Sequence, residues 1–205
     1  MHSSNMLAQS LQRLSSGSKI TSPSDDSAGL AVSMKLNAQI SRINAASNNV
    51  GNAISFSQTQ DGYISKVNDA LSRMSELSVL SQDVTKQDSD RALYQQEFAA
   101  LGSYINNVAT KDFNGVSLFG GTTPNVTTDS DANTFAMTGV SLANSSYANA
   151  IGSTIDTKLN AVNARANVKQ AINQLASDRA NIGSNMESLT TPRRPVLRLT
   201  RRPTR

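Results

Sequence analysis

Cysteine and tryptophan are absent from the 205 residues, and histidine occurs once, at His2. No disulfide, thiol nucleophile or cysteine metal site is available, so the redox compartment stays open. A single histidine near the chain start argues against a histidine-based triad or dyad. Only 4% of residues are aromatic and 38% hydrophobic, which argues against a large globular core. Long helices carrying narrow apolar stripes suit such a composition. No run approaches the roughly 18 apolar residues of a membrane span, and residues 1–20 are too polar for a cleavable secretory signal. Neither a Gly-x-Gly-x-x-Gly nor a Walker-type loop is present, so nucleotide and cofactor chemistry has no sequence signature.

Charge is unevenly spread. The formal net charge is +4, yet residues from Pro192 to Arg205 hold six arginines and no acid, leaving 13 basic and 15 acidic residues elsewhere. The basic tail could meet phosphates but has no aromatic residue on which bases would stack. It reads as a solvated, disordered end, with nucleic acid not expected as a partner.

What the chain does have is helical periodicity. Leu7, Leu11 and Leu14 form a short stripe that leads into a turn at Ser15–Ser18. At Ser22-Pro23-Ser24-Asp25 a serine cap, a first-turn proline and an acid signal a helix start. From there Leu36, Ile40, Ile43, Ser47, Val50 and Ile54, then Ile64, Val67, Leu71, Met74 and Leu77, predict one very long helix, or two stacked ones, from about Ser24 to Ser81. Its other positions are too polar for it to stand alone, so further helices must cover the stripe. A third helix is expected over Ser89–Thr110, with Tyr94, Phe98, Leu101, Ile105 and Val108 inward. Asn114-Gly115 signals a hairpin turn. Residues 120–149 are rich in Gly, Thr, Ser and Asn, with β-prone pieces at Phe135-Ala136-Met137 and Val140-Ser141-Leu142. Residues 151–189 read as a last helix whose seam is Val168, Ile172, Leu175, Arg179, Ile182, Met186 and Leu189. The pattern stops at Thr191-Pro192, and Pro192, Pro195 and Pro203 forbid its continuation.

The remaining motifs carry no chemistry. Asp129-x-Asp131-x-Asn133 opens like an EF-hand loop, but Thr134 stands where glycine is required and Val140 where the bidentate glutamate belongs. Adjacent Asp25 and Asp26 point in different directions on a helix, which favours capping over paired catalysis. Gly120-Gly121 reads as a flexible turn, and the sequons at Asn125 and Asn144 as chance matches in Thr/Ser-rich loops. No catalytic, cofactor-binding or metal-ligating residue is expected, and the protein does not read as an enzyme.

Several ordered blocks carry a resemblance. Leu11–Ile20 (LQRLSSGSKI), Ser24–Ala31 (SDDSAGLA), Asn48-Asn49 with Ile54–Gly62 (ISFSQTQDG), Arg73–Val79 (RMSELSV), Phe113–Val116 (FNGV) and the stretch Ala164–Leu189 resemble bacterial flagellins. The resemblance implies a mainly α fold: an elongated antiparallel helical bundle or coiled coil of long helices from both chain ends, with a small β-hairpin and loop region in the middle. It implies a partial amino-terminal helix and linker in residues 1–21 and the amino-terminal part of the core in 22–119. A short variable region in 120–150, the carboxy-terminal core helix in 151–191 and the basic tail in 192–205 complete the layout. The implied role is a subunit of the flagellar filament, exported by the flagellar type III apparatus, secreted and partnered by other flagellin subunits. Arg73, Leu77 and Glu97 match positions that the innate receptor TLR5 reads in recognised flagellins and that pack between subunits. Against the family pattern the chain reads as a minimal form with almost no outer domain, shortened at both terminal helices. Pro192–Arg205 then reads as out-of-frame or foreign sequence, a matter for the coding DNA. A hook–filament junction protein and a secreted TLR5 ligand without polymerising ability are the alternative readings.

Overall fold

A computed structural model describes residues 2–17 and 26–191. The expected start signal at Ser22–Asp25 and the basic tail 192–205 lie outside the described residues. Helix α1 spans His2–Ser16, α2 Ser27–Leu80, α3 Asp88–Ala109, α4 Ser145–Ile151 and α5 Lys158–Thr190. Between α3 and α4 lie two antiparallel strand pairs, β1 (Asp112–Phe113) with β2 (Val116–Ser117) and β3 (Asn125–Thr127) with β4 (Thr134–Ala136).

The 54 residues of α2 form one continuous helix, about 80 Å long at 1.5 Å per residue. It starts where Asp26 Oδ1 accepts the Gly29 amide at 2.8 Å, the capping role read for the acidic pair. No proline interrupts it, and Gly62 leaves it whole because the residues around that glycine are held by burial. Its buried seam is Ala53, Ser57, Gln60, Ile64, Val67, Leu71, Met74 and Ser78, alternating steps of four and three. Helix α5 answers with Ala161, Ala164, Val168, Ala171, Leu175, Asp178, Ile182, Asn185 and Leu189. The two run antiparallel: Gln82, just past α2, reaches the Ala161 carbonyl near the start of α5, whereas Asp61 further back pairs with Arg179 further along. Helix α3 packs Phe98, Ile105 and Val108 against the same core. The architecture is the expected antiparallel bundle of long helices from both ends of the chain.

Four expectations need correction. Residues 151–189 are not one helix. Gly152 caps α4, and α5 begins only at Lys158, where Thr157 Oγ1 accepts the Asn160 amide at 3.2 Å. The open seam slot belongs to Asp178 rather than Arg179, which sits outside and bonds Asp61. Phe135 finds its strand partner in Val126, while Val140-Ser141-Leu142 is irregular, with Val140 and Leu142 buried and only Ser141 bridging Gly120. Finally, the stripe through Leu36, Ile40 and Ile43 is uncovered, because the body of the bundle begins at Ala46. The Asn114-Gly115 turn is as expected, with φ values of 53° and 78° that a hairpin of mirror-image turn type requires.

The irregular middle is pinned to the helices by polar side chains in the seams. Gln60 Nε2 donates to the Leu118 carbonyl at 2.5 Å. Asn185 accepts the Thr138 amide and donates to its carbonyl, both at 2.9 Å. Tyr147 of α4 donates its hydroxyl to buried Asp178 at 2.6 Å, and Gln95 of α3 accepts the Ile155 amide at 2.6 Å. Beside Thr138, Gly139 lets two loops cross: a Cβ there would lie 2.2 Å from the Thr122 carbonyl oxygen. Asn185→Ala should therefore cost about 2 kcal/mol in urea unfolding, roughly 1 kcal/mol for each lost bond. Gly139→Ala should cost about 1–3 kcal/mol through overpacking. Wild-type midpoints for both would show that the clamp contributes nothing.

Candidate functional site

The residues singled out in the sequence come together on the α2–α3 face. Arg73 on α2 meets Glu97 on α3 through a two-pronged contact, Nε to Oε1 at 2.6 Å and Nη2 to Oε2 at 3.0 Å. Its Nη1 reaches Glu76 Oε2, one turn along α2, at 2.8 Å. The fork geometry of a guanidinium suits such a paired contact. All three side chains remain substantially exposed. Leu77 lies beneath them with 0% of its surface accessible, inside the core with Phe98 and Ile105. The structure thus joins Arg73 and Glu97 in one surface feature and places Leu77 under it.

Hydrogen bonding to Arg73 holds the Glu97 carboxyl below its ordinary range, and the bonds to Glu97 and then Glu76 push the Arg73 guanidinium up. Elsewhere, burial and then the bond to Asp178 raise the Tyr147 phenol, so this hydroxyl serves as a donor and not as a base. Asp129 is held low first by the Asn133 side chain and then by backbone amides; the sequence that imitates an EF-hand opening closes on itself as a hairpin loop. Among the described residues no group of three or more His, Asp or Glu could hold a metal, and no helix is long and apolar enough to cross a membrane.

Two clefts flank the hairpin region. One of about 660 Å³ lies between Ile43 and Val50 of α2, Asp129 and Phe135 of the hairpin, and Leu189 of α5. The other, about 640 Å³, is bordered by Asn49, Asn52, Asn125, Phe56, Phe113 and Met137. The first also carries Ser47, Ser188 and Asp129, whose carboxylate is taken up by Asn133, and neither is lined by histidine, lysine or arginine. What the surface offers instead is apolar helix. At one end Val32, Leu36, Ile40 and Ile43 are 49–56% exposed along a single stripe of α2. At the other, Val79, Leu80 and Val84 are exposed near Leu159 and Val162 at the start of α5.

Sequence reading missed two features. Arg91, which is buried, closes the α2–α3 turn by donating to the Ser81 carbonyl at 2.8 Å, the Asp83 carbonyl at 2.9 Å and Asp88 Oδ1 at 2.7 Å. Its signal was its place on the inward face of α3, one turn before Tyr94. The second is the set of polar seam anchors, whose signal was the breaks in the apolar heptads.

The fold class is thus a bundle of long antiparallel helices interrupted by a short strand-and-loop insertion. The model of the bacterial flagellin N-terminal helical region matches residues 1–123, and the chain belongs to that family. It is 38% identical over 152 residues to the B-type flagellin of Pseudomonas aeruginosa, covering 74% of this chain and 31% of that protein. It is 39% identical over 115 residues to the flagellar filament 31.3 kDa core protein of Treponema maltophilum, covering 56% of this chain and 40% of that one. With the flagellar filament 41 kDa core protein of Borreliella burgdorferi the identity is 44% over 103 residues, 50% of this chain and 31% of that one. The chain therefore spans well under half the length of these relatives. The crystal structure of Bacillus cereus flagellin shares the fold, with a TM-score of 0.61 over 70% of this chain and 85% of that one at 21% identity.

An exposed pair contributes little to stability, so Arg73→Ala should leave the melting temperature nearly unchanged. It should return Glu97 toward the ordinary glutamate value of about 4.3, read by carboxyl NMR titration. The sign follows from the lowered native value: the pairing favours the fold above the unfolded pKa of Glu97 and is lost as pH falls through the native one. An unmoved Glu97 titration would show that the pair does not persist in solution.

Proposed function

We propose that this chain is a structural subunit of the bacterial flagellar filament, working through packing faces and not as an enzyme. The observation that supports this most is the pair of uncovered apolar helix surfaces at opposite ends of α2, one along Val32–Ile43 and one around Val79–Val84. Two different patches at opposite ends favour head-to-tail contact between copies, and head-to-tail contacts that do not close into a ring build open polymers. Membership in the flagellin family supports the same reading. The partners are then other flagellin subunits and the flagellar type III export apparatus, and the site of action is the secreted filament.

The exposed Arg73–Glu97 pair, with Leu77 setting the helix spacing below it, supplies a lateral contact in this proposal and a surface for the receptor TLR5. A reporter assay should give a signal for the wild type that falls with Arg73→Ala and Glu97→Ala. An inactive wild type ends the receptor reading.

For the filament reading, sedimentation at rising concentration should reveal polymers. Burying one leucine is worth about 1.5–3 kcal/mol, so Leu36→Asp should raise the critical concentration at least about tenfold. A wild type that stays monomeric at every concentration contradicts the filament reading.

A further inference from the structure

Of the asparagines in the sequence, only Asn114 is followed by glycine. The carbonyl carbon of an asparagine side chain can be attacked by the backbone nitrogen of the next residue. A glycine in that place brings no Cβ to obstruct the approach. Most of the other asparagines lie inside α2, α3 and α5, where helical hydrogen bonds hold the following amide in place. Asn114 instead stands exposed at the tip of the β1–β2 hairpin with φ 53°, and Gly115 follows at φ 78°. No hydrogen bond among the described residues engages the Asn114 side chain. The Gly115 nitrogen, by contrast, is taken: it donates to Asp112 Oδ1 at 3.1 Å. The hairpin around them is closed by the Leu118 amide on the Lys111 carbonyl at 3.0 Å. One short turn therefore holds an electrophile, the nitrogen that can attack it, and a carboxylate on that nitrogen.

We propose that Asn114 is a site of spontaneous deamidation and that Asp112 restrains it. In the first step the Gly115 nitrogen gives its proton to hydroxide and bonds to Asn114 Cγ. The Cγ–Nδ2 bond breaks, and the departing nitrogen takes a proton from water and leaves as ammonia. Water then adds across one of the two C–N bonds of the resulting succinimide. Opening one gives aspartate; opening the other gives isoaspartate, whose backbone runs through the former side chain. An amide that donates to a carboxylate is held in its protonated form, because ionising it would set two negative charges against each other. Asp112 therefore opposes the step on which the rest depends. The products also change the hairpin. Both place a new carboxylate two residues from Asp112. Isoaspartate adds a methylene to a two-residue loop whose dihedrals match the strand twist, so the Phe113–Val116 pair must shift. With it moves the Phe113 ring, which meets Phe56 edge-on at 6.0 Å between centroids.

Peptide mapping by mass spectrometry, on chain aged in mildly alkaline buffer, reads the reaction directly, and chromatography separates the aspartyl from the isoaspartyl fragment. In the wild type deamidation should gather at Asn114. Its rate there should be at least about threefold below that of the same chain unfolded in guanidinium chloride. Asp112→Ala should recover most of that difference. Asp112→Asn, which keeps an acceptor oxygen without the charge, should fall between Asp112→Ala and the wild type. Val116→Ala weakens the strand pair while leaving the Asp112 contact in place, and should stay near the wild-type rate. Acceleration by Val116→Ala equal to that by Asp112→Ala would assign the restraint to hairpin order alone and overturn the role of Asp112. A wild-type rate equal to the unfolded one, or a slower Asp112→Ala, would overturn it as well. Deamidation spread evenly over the asparagines, or none at Asn114, would overturn the site itself. None of these rates depends on assembly, so they stand apart from the filament reading.

Discussion

Everything in this molecule depends on the antiparallel seam between α2 and α5. Neither helix is apolar enough to be stable by itself, and helices in proteins draw most of their stability from packing. The seam joins residues far apart in the chain, from the Gln82–Ala161 contact spanning 79 positions to the Asp61–Arg179 pair spanning 118. Closing it carries the loop-closure entropy of the chain between. Alanines at 161, 164 and 171 let the helices approach closely along part of the seam, and the large side chains of Ile64, Leu71, Met74, Leu175 and Ile182 fill the rest.

The polar positions in that seam serve the middle of the chain. Gln60, Asp178 and Asn185 are buried, and a buried polar group without a partner is costly. Each finds its partner in the segment between α3 and α5: the Leu118 carbonyl, the Tyr147 hydroxyl and the Thr138 backbone. The insertion is thus locked onto the bundle by hydrogen bonds, while Leu118, Phe119, Met137, Val140 and Leu142 plug the space it covers. A short and irregular segment holds one arrangement because the helices dictate where its backbone can be satisfied.

Much of this is legible in the residues. The 4–3 spacing from Ile64 to Leu77 and from Phe98 to Val108 marks faces that are buried or nearly so, and Asn114-Gly115 marks its hairpin. Gly62 could have divided α2, and only burial on either side shows why it does not. The seam of α5 is half legible: Val168, Leu175, Ile182 and Leu189 stand out, but Asp178 yields to its neighbour in a sequence reading because an acid is rarely expected inside. Its burial depends on Tyr147, which sequence spacing cannot bring near. The Arg73–Glu97 pair follows from a resemblance, whereas its bonding, and the burial of Leu77 beneath it, needs the packing of α3 on α2. The uncovered stripe is the largest departure from expectation: periodicity marks an apolar face and is silent on what covers it.

That stripe connects fold to function. A helix about 80 Å long whose first part is exposed from residue 31 to 45 has a surface open to a partner, and in the proposed filament that partner is another copy. Hydrogen exchange across α2, in dilute chain and in sedimented polymer, tests this most directly. Amides from Ala53 to Ser78 should exchange slowly in both states, and those of residues 31–45 should exchange faster in the dilute chain and slow markedly on assembly. Equal protection along the whole helix in the dilute chain, or no gain at residues 31–45 in the polymer, would contradict the account.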